Sequence, residues 1–241
     1  MPAPRVQITE PIVWGRFVRR YKRFFVDVEV DGAVVTAHTA NTGAMTGLLV
    51  EGAPVILTRH DKPSRKLPLE VEAIYVGTSW VVVNTIRANR VARAFVEGGA
   101  FPELGTTVDA TEVKVGDSRI DMQVAGRLVE VKSITLRDGD RAIFPDAKSV
   151  RATKHATTLE SVARADGRSA AALFLCQRTD VDSVAPADAI DPDYGRALRR
   201  ARDAGVSMLA ASVGVDVDGD DFAATSVALR CASRLVVEFP G

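Results

Sequence analysis

Asp121, Glu130 and Lys132 have the types and the spacing to hold a metal ion beside a phosphate. They lie in a stretch, 118–132, where apolar residues alternate at Ile120, Met122 and Val124 and again at Val129 and Val131. That period of two predicts two short strands, and a two-residue loop at Ala125-Gly126 would set Asp121 directly opposite Glu130, with Cβ atoms about 5 Å apart. Facing carboxylates repel, and Lys132 offers only partial relief. A divalent cation resolves the clash better. Two carboxylates, the Val131 carbonyl and water make a hard oxygen set that suits Mg²⁺ or Mn²⁺. Lys132 would then point at the same water and phosphate. The inference depends on register, because a three-residue loop would shift the pairing by one position. The tripeptide itself carries little, since Glu-Val-Lys recurs at Glu112-Val113-Lys114 and suits any half-exposed strand.

A second group follows. After Phe144-Pro145-Asp146-Ala147 the pattern predicts a helix over about 149–165, and Arg151, Lys154 and His155 share one of its faces by the i, i+3, i+4 rule. The functional reading is that this face, with Asp146 as an accessory group before it, borders the carboxylate pair and holds a phosphate. The alternative is a solvated face, with His155 as an ordinary hydrogen-bonded helix histidine. His38 and His60 have no Cys or carboxylate at ligand spacing, so no chemistry is assigned to them. The sequence contains no Gly-x-Ser-x-Gly elbow, phosphate loop or dinucleotide fingerprint.

These residues need two kinds of scaffold. Residues 8–83 read as all-β: 25–30 alternates, Asp31-Gly32 turns the chain, 33–37 returns, and strands follow at 54–59, 69–75 and 80–83. Five or six short strands in that length predict a small closed barrel, most economically an OB-fold. Asn89 is expected to cap a short helix, 90–97, that ends at Gly98-Gly99. Beyond it strands and helices alternate, with a buried strand at 171–176, a helix at 192–204 and a strand at 207–213. The expectation is an α+β protein of two domains, an OB-fold-like barrel over 1–84 and a mixed α/β domain over 85–241. Asp216–Asp221 lacks the spacing of a calcium loop and reads as a solvated turn.

The barrel carries two basic clusters. Arg19, Arg20, Lys22 and Arg23 are interleaved with Phe17, Tyr21, Phe24 and Phe25, and Lys62, Arg65 and Lys66 lie in a Pro-flanked loop. Positive charge among aromatic rings suits nucleic acid through phosphate contact and base stacking. A basic loop over core aromatics is the competing reading. Residues 1–90 hold twelve basic and eight acidic residues in a chain whose net charge is zero. The imbalance points the first half toward an anionic partner.

Composition excludes other classes. Hydrophobic residues make up 46% and charged residues 26%, as in an ordinary globular protein. Runs such as Trp80–Val83 are far too short to span a membrane, so no membrane partner is expected. The N-terminus lacks the apolar stretch of a signal peptide. Cys176 and Cys231 sit among apolar neighbours and read as buried thiols, which suits a reducing cytoplasm.

Together, several segments resemble the sugar fermentation stimulation protein A family. They are Arg19-Arg20-Tyr21-Lys22-Arg23-Phe24, Asn41-Thr42-Gly43-Ala44-Met45-Thr46-Gly47, Arg65-Lys66-Leu67-Pro68 and Val83-Asn84-Thr85 with Asn89-Arg90. Glu112-Val113-Lys114, Ser118-Arg119-Ile120-Asp121, Glu130-Val131-Lys132-Ser133 and Phe144-Pro145-Asp146-Ala147 complete the set, in the same order. The resemblance implies an OB-type domain joined to a PD-(D/E)XK nuclease-like domain, DNA binding without sequence preference, and an influence on maltose metabolism. It matches Asp121 and Glu130 to metal-binding acids and Lys132 to a catalytic lysine. Where the family pattern reads Thr-Glu-Arg-Gly-x-Lys-His, this chain has Ser149-Val150-Arg151-Ala152-Thr153-Lys154-His155, so an acid is replaced at Val150.

Two functions follow as expectations. One is a non-specific DNA-binding protein of regulatory role in sugar metabolism, with affinity from phosphate neutralisation. The other is a Mg²⁺-dependent nuclease in which Asp121 and Glu130 hold the metal and Lys132 orients or deprotonates water.

Overall fold

The computed structural model describes residues 3–63, 65–165, 169–218 and 224–240. β1 (Arg5–Ile8) opens the chain and is followed by β2 (Ile12–Tyr21), β3 (Phe25–Val30), β4 (Ala33–His38), β5 (Pro54–Arg59), β6 (Leu69–Tyr75) and β7 (Trp80–Val82). β2 through β6 run in the order β4-β3-β2-β5-β6, and a β4–β6 pairing closes them into a five-stranded barrel of the expected OB type, with β7 added beside β6. Local chemistry accounts for the hairpins. Asp31 and Gly32 both have positive φ, 50° and 78°, which lets a two-residue loop join Val30 to its partner Ala33. Phe17, Val26, Val28, Leu57, Val71 and Val81 fill the barrel.

β1 does not belong to that barrel. It pairs antiparallel with the last strand of the second sheet, Arg5 opposite Arg230, so the expected domain over 1–84 loses its first strand to the other domain. Val6 and Ile8, on alternate positions, bury themselves in the second core, and no local pattern could have said which sheet they join.

A 3₁₀ turn (Thr85–Arg87) leads into α1 (Ala88–Glu97). The cap of this segment is Asn84, whose side chain accepts from the Ile86 N–H at 3.2 Å, and Asn89 therefore does not cap a helix as expected. The second sheet then takes β8 (Val108–Val115), β9 (Ser118–Val124), β10 (Arg127–Ile134), β11 (Arg137–Asp138) and β12 (Arg141–Phe144). α2 (Val150–Arg164), β13 (Ala170–Cys176), β14 (Ser183–Pro186), α3 (Pro192–Asp203), β15 (Ser207–Asp218) and β16 (Ser226–Val237) complete it. The strand order is β11-β12-β14-β16-β15-β13-β10-β9-β8, mixed in direction. Asp216–Asp218 continue β15 instead of forming a turn, and the remainder of that predicted turn lies outside the described residues.

The sheet is packed on both faces. α2 and α3 cover one side over Leu159, Phe174 and Leu198. On the other, α1 and the outer wall of the barrel share a core, with Ile56, Ala73 and Val82 joining Val91, Phe95, Val129 and Leu173. A shared apolar core fixes the two domains against each other. Among the described residues no helix is long and apolar enough to cross a membrane. Cys176 is buried, which pushes its thiol up to about 12, and Cys231 is partly buried; neither forms a disulfide.

Candidate functional site

Ala125 and Gly126 both have positive φ, 45° and 81°, so the loop between β9 and β10 has two residues and the pairing runs Val124–Arg127, Gln123–Leu128, Met122–Val129. The next step of that register sets Asp121 opposite Glu130. There the backbone ladder stops. The Asp121 side chain takes over as acceptor, with Oδ2 receiving the Val131 N–H at 2.7 Å. Asp121 Oδ1 receives the side-chain amide of Asn89 from α1 at 2.8 Å. The carboxylate pair is thus tied to the chain that leaves the barrel.

Glu130 is buried, with 3% of its surface exposed. Its Oε1 accepts from Lys132 Nζ at 2.5 Å and pairs closely with His155 Nδ1 from α2. Its Oε2 is buried with no hydrogen-bond partner among the described residues. A buried carboxylate oxygen without a donor is costly. Burial and the nearby charge of Glu130 push the Asp121 carboxyl up from its ordinary value. Burial, Glu130 and Asp191 likewise push up the fully buried Tyr194 hydroxyl. The site therefore has an excess of negative charge and one orphaned oxygen, and a hard divalent cation fits both. Asp121, Glu130 and the Val131 carbonyl are the groups that would hold it.

α2 is set by a residue whose role no local pattern reveals. Asp191 Oδ1 accepts from Tyr194 N at 3.1 Å as the cap of α3, and its Oδ2 accepts from Ser149 N at 2.8 Å, beside the cap of α2. Ser149 in turn caps α2 through Ala152 N at 3.1 Å. One carboxylate thus fixes the starts of two helices and, through α2, the position of His155. The predicted basic face is only partly at the site. His155 reaches Glu130, but Arg151 is exposed and Lys154 Nζ donates to the Asp117 carbonyl at 3.0 Å. A helix face spans too wide an arc for all three side chains to meet one carboxylate.

Asp146 also sits elsewhere. Its Oδ2 accepts from Ala44 N at 3.0 Å, tethering the barrel loop 41–44 to the second domain. Gly43 makes the approach possible, since a Cβ there would lie 2.0 Å from Asp146 Oδ2. The loop is held from its other side by bases expected to contact DNA. Arg20 donates to the carbonyls of Asn41 at 2.8 Å and Gly43 at 2.9 Å, and Arg23 to that of Thr42 at 3.0 Å. Burial and nearby Arg23 push the Arg20 guanidinium down. Arg19 pairs with Asp27 at 2.8 Å and Arg65 with Glu70 at 2.9 Å. Lys22, Lys62 and Lys66 remain exposed. Of the interleaved aromatics, Phe17 is in the barrel core, Tyr21 stacks on Phe25, and Phe24 is 39% exposed.

A second cluster corrects the expectation that His60, with no Cys or carboxylate at ligand spacing in the sequence, lies apart from any acid. His60, Glu70 and Glu72 bring ligand atoms within 4.8 Å of one another, because β5 and β6 pair antiparallel. Glu72 is fully engaged: Oε1 accepts from Thr58 at 2.9 Å, Asn84 at 3.0 Å and Arg87 at 2.8 Å, and Oε2 from Arg87 at 2.7 Å. Glu70 Oε2 faces Arg65 and His60, and its Oε1 lies 3.4 Å from His38 Nδ1. Two guanidinium groups already neutralise these acids, so the cluster is a buried ion-pair network.

Residues 86–219 match the family model described as the sugar fermentation stimulation protein RE domain, and residues 18–83 match the SfsA N-terminal OB domain. The sugar fermentation stimulation protein homolog of Syntrophotalea carbinolica is 48% identical over 211 residues, covering 85% of this chain and 91% of its own. That of Geobacter sulfurreducens is 43% identical over 209 residues, covering 84% and 90%. The solved structure of Pyrococcus furiosus SfsA in complex with Ca²⁺ superposes with a TM-score of 0.82 at 25% identity, over 97% of this chain and 98% of that one.

Proposed function

Since the chain belongs to the sugar fermentation stimulation protein family, we propose that it binds DNA without sequence preference and hydrolyses phosphodiester bonds at Asp121, Glu130 and Lys132 with a bound Mg²⁺ or Mn²⁺. One observation carries the reading: Glu130 is buried opposite Asp121 with Oε2 unpartnered among the described residues. A protein that only binds DNA gains nothing from two opposed carboxylates beside phosphate, which they repel. The Ca²⁺ in the Pyrococcus furiosus relative is a cation of the same hard class, which supports a metal in this family.

When bound, the cation supplies charge stabilisation at the phosphate and lowers the pKa of water. The rest falls to side chains. Val131 N–H and Asn89 orient Asp121. His155 holds Glu130 from the α2 side. Lys132 Nζ, fixed by Glu130 Oε1, is placed to donate to a phosphate oxygen or to a water beside it. In-line displacement at phosphorus asks for positioning and charge, so these few groups suffice.

A second reading, a regulatory DNA-binding protein of sugar metabolism without turnover, is favoured by Val150. It stands 87% exposed where the family pattern carries an acid. The test incubates labelled single- and double-stranded DNA with protein and Mg²⁺, Mn²⁺ or EDTA, beside Lys132→Ala. Metal-dependent cleavage that disappears in Lys132→Ala is expected. Binding without cleavage, equal in both proteins, would overturn the nuclease and leave the DNA-binding platform.

A further inference from the structure

We infer that the cleft between the barrel loop 41–44 and the second sheet takes one unpaired nucleotide, so that the chain prefers single-stranded ends and overhangs to blunt duplex. The inference rests on reading the Asp121–Glu130 pair as a phosphodiester site. Its own ground is the cleft, a cavity of about 300 Å³ with walls from both domains. That volume is at the small end of ligand sites and admits a single nucleotide but not a base pair with its two backbones.

Position supports the assignment. The cleft is lined by Ser133 and Thr135, which follow Lys132 closely along the chain at the end of β10. Ser133 directly follows Lys132 on β10, so the lining of the cleft begins one residue beyond the lysine of the carboxylate pair. The lining chemistry matches too. Thr42, Ser133 and Thr135 offer hydroxyls for base edges and sugar, Arg23 and the exposed Lys148 offer positive charge, and Phe144 offers an apolar ring. Such a mixture of donors, cations and one aromatic is how single strands are held without regard to sequence.

The barrel wall turns no free loop carbonyl toward an anion, although the Asp146 carboxylate also lines the cleft. Four successive carbonyls, of Asn41, Thr42, Gly43 and Ala44, are occupied by guanidinium groups of Arg20 and Arg23. They cannot turn toward a phosphate and repel it. With Ala44 N–H held by Asp146, the loop is set before any ligand arrives, which lowers the cost of binding.

The test is fluorescence anisotropy with a blunt duplex, the same duplex bearing an overhang, and the single strand, in Ca²⁺ and in EDTA. The wild-type protein should bind the overhang and the single strand at least about tenfold more tightly than the blunt duplex. Thr42→Trp, an exposed position whose new ring would fill the cleft, should bring that ratio close to one. Lys148→Ala should lower it as well. Ca²⁺ affinity and the thermal unfolding midpoint should stay unchanged in both, which certifies the fold. Equal wild-type affinity for blunt and overhanging DNA, or a ratio unmoved in both variants, would overturn the inference. So would a free deoxynucleoside monophosphate that competes as well as the single strand, since that would make the cleft a mononucleotide site. If Glu130→Gln leaves Ca²⁺ affinity unchanged, the phosphodiester reading fails instead, and the overhang preference in EDTA still decides the cleft.

Discussion

Asn89 donates its side-chain amide to Asp121 Oδ1 at 2.8 Å, and it does so two residues beyond Arg87, whose guanidinium is buried on Glu72 of the barrel. The contact links the barrel's ion-pair network to the carboxylate pair through a single turn of chain. Asn89 thus acts on the metal site by orienting a ligand, not by touching the ion.

Asn89→Ala should weaken Ca²⁺ or Mn²⁺ binding by about tenfold, the usual scale for removing a ligand's hydrogen-bond partner. Unfolding free energy should move by no more than about 0.5 kcal/mol, as befits a hydrogen bond donated by the exposed Asn89. Calorimetric titration reads the first and urea unfolding the second. An unchanged metal affinity would remove Asn89 from the site.

The pH dependence follows from Asp121. Its folded pKa is raised by burial and by Glu130, so the folded protein holds this proton more tightly than the unfolded chain. The resulting stability is present below the ordinary carboxylate range and is lost as pH rises through the raised value. Without metal, Asp121→Asn should therefore stabilise the protein at neutral pH. In the wild type, metal at a hundredfold excess over Kd should add about 2.7 kcal/mol. That gain should fade on acidification at a pH above where ordinary Asp titrates, and it should be absent from Asp121→Asn. Thermal melts across a pH series, with and without Mg²⁺, check this, and a metal-induced rise that survives in Asp121→Asn would sink it.

Glu72 is 1% exposed, and Arg87, 8% exposed, is raised above its ordinary pKa by Glu72 and Glu10 despite its burial. Breaking one side of such a pair leaves a buried charge uncompensated, so Glu72→Ala should cost about 3–5 kcal/mol in urea unfolding. Replacing both residues with methionine should recover much of that stability. A small effect of Glu72→Ala alone would mean that Glu10 suffices for Arg87.

Gly43→Ala would place a Cβ 2.0 Å from Asp146 Oδ2 and should destabilise the protein by about 1–3 kcal/mol. In an Asp146→Ala background the same change should cost clearly less, with only the approach to Asn41 Oδ1 at 3.0 Å remaining. The double-mutant cycle isolates the contact between the domains. Additive effects would show that the collision is relieved elsewhere.

The basic residues of the barrel divide by role. Arg20→Ala should lower stability, because three of its hydrogen bonds hold loop carbonyls. Replacing Lys22, Lys62 and Lys66 together should leave stability nearly unchanged and flatten the salt dependence of DNA affinity, by about one unit of log–log slope for each phosphate no longer neutralised. A slope that does not move would place the DNA elsewhere.

How much of this the amino-acid order contains depends on the range of each interaction. The alternation of residues 120–124 and 128–131 and the Ala125-Gly126 loop are local, and a two-residue loop leaves one register, so the meeting of Asp121 and Glu130 is legible in the sequence alone. The barrel strands and the Ser149 and Asp191 caps obey the same short-range rules, although the sharing of Asp191 between two helices does not. Basic residues mislead because charge alone says nothing about whether a guanidinium faces solvent or a neighbouring carbonyl. Arg20 and Lys22 look alike in sequence and differ entirely in place.

Local chemistry sets the strand and helix periods, the tight turns, and an acid pair beside a lysine. Backbone sterics and side-chain alternation act over a few residues, and those effects need no partner from afar. Long-range packing decided that β1 would pair with β16, that Asn89 would reach Asp121, and that His155 alone of its helix face would meet Glu130. It also decided that His60 would lie beside Glu70. Each of these pairings depends on how distant or separately packed faces come together. They are chosen by how whole faces bury, a sum over many weak apolar contacts that no single residue's chemistry announces.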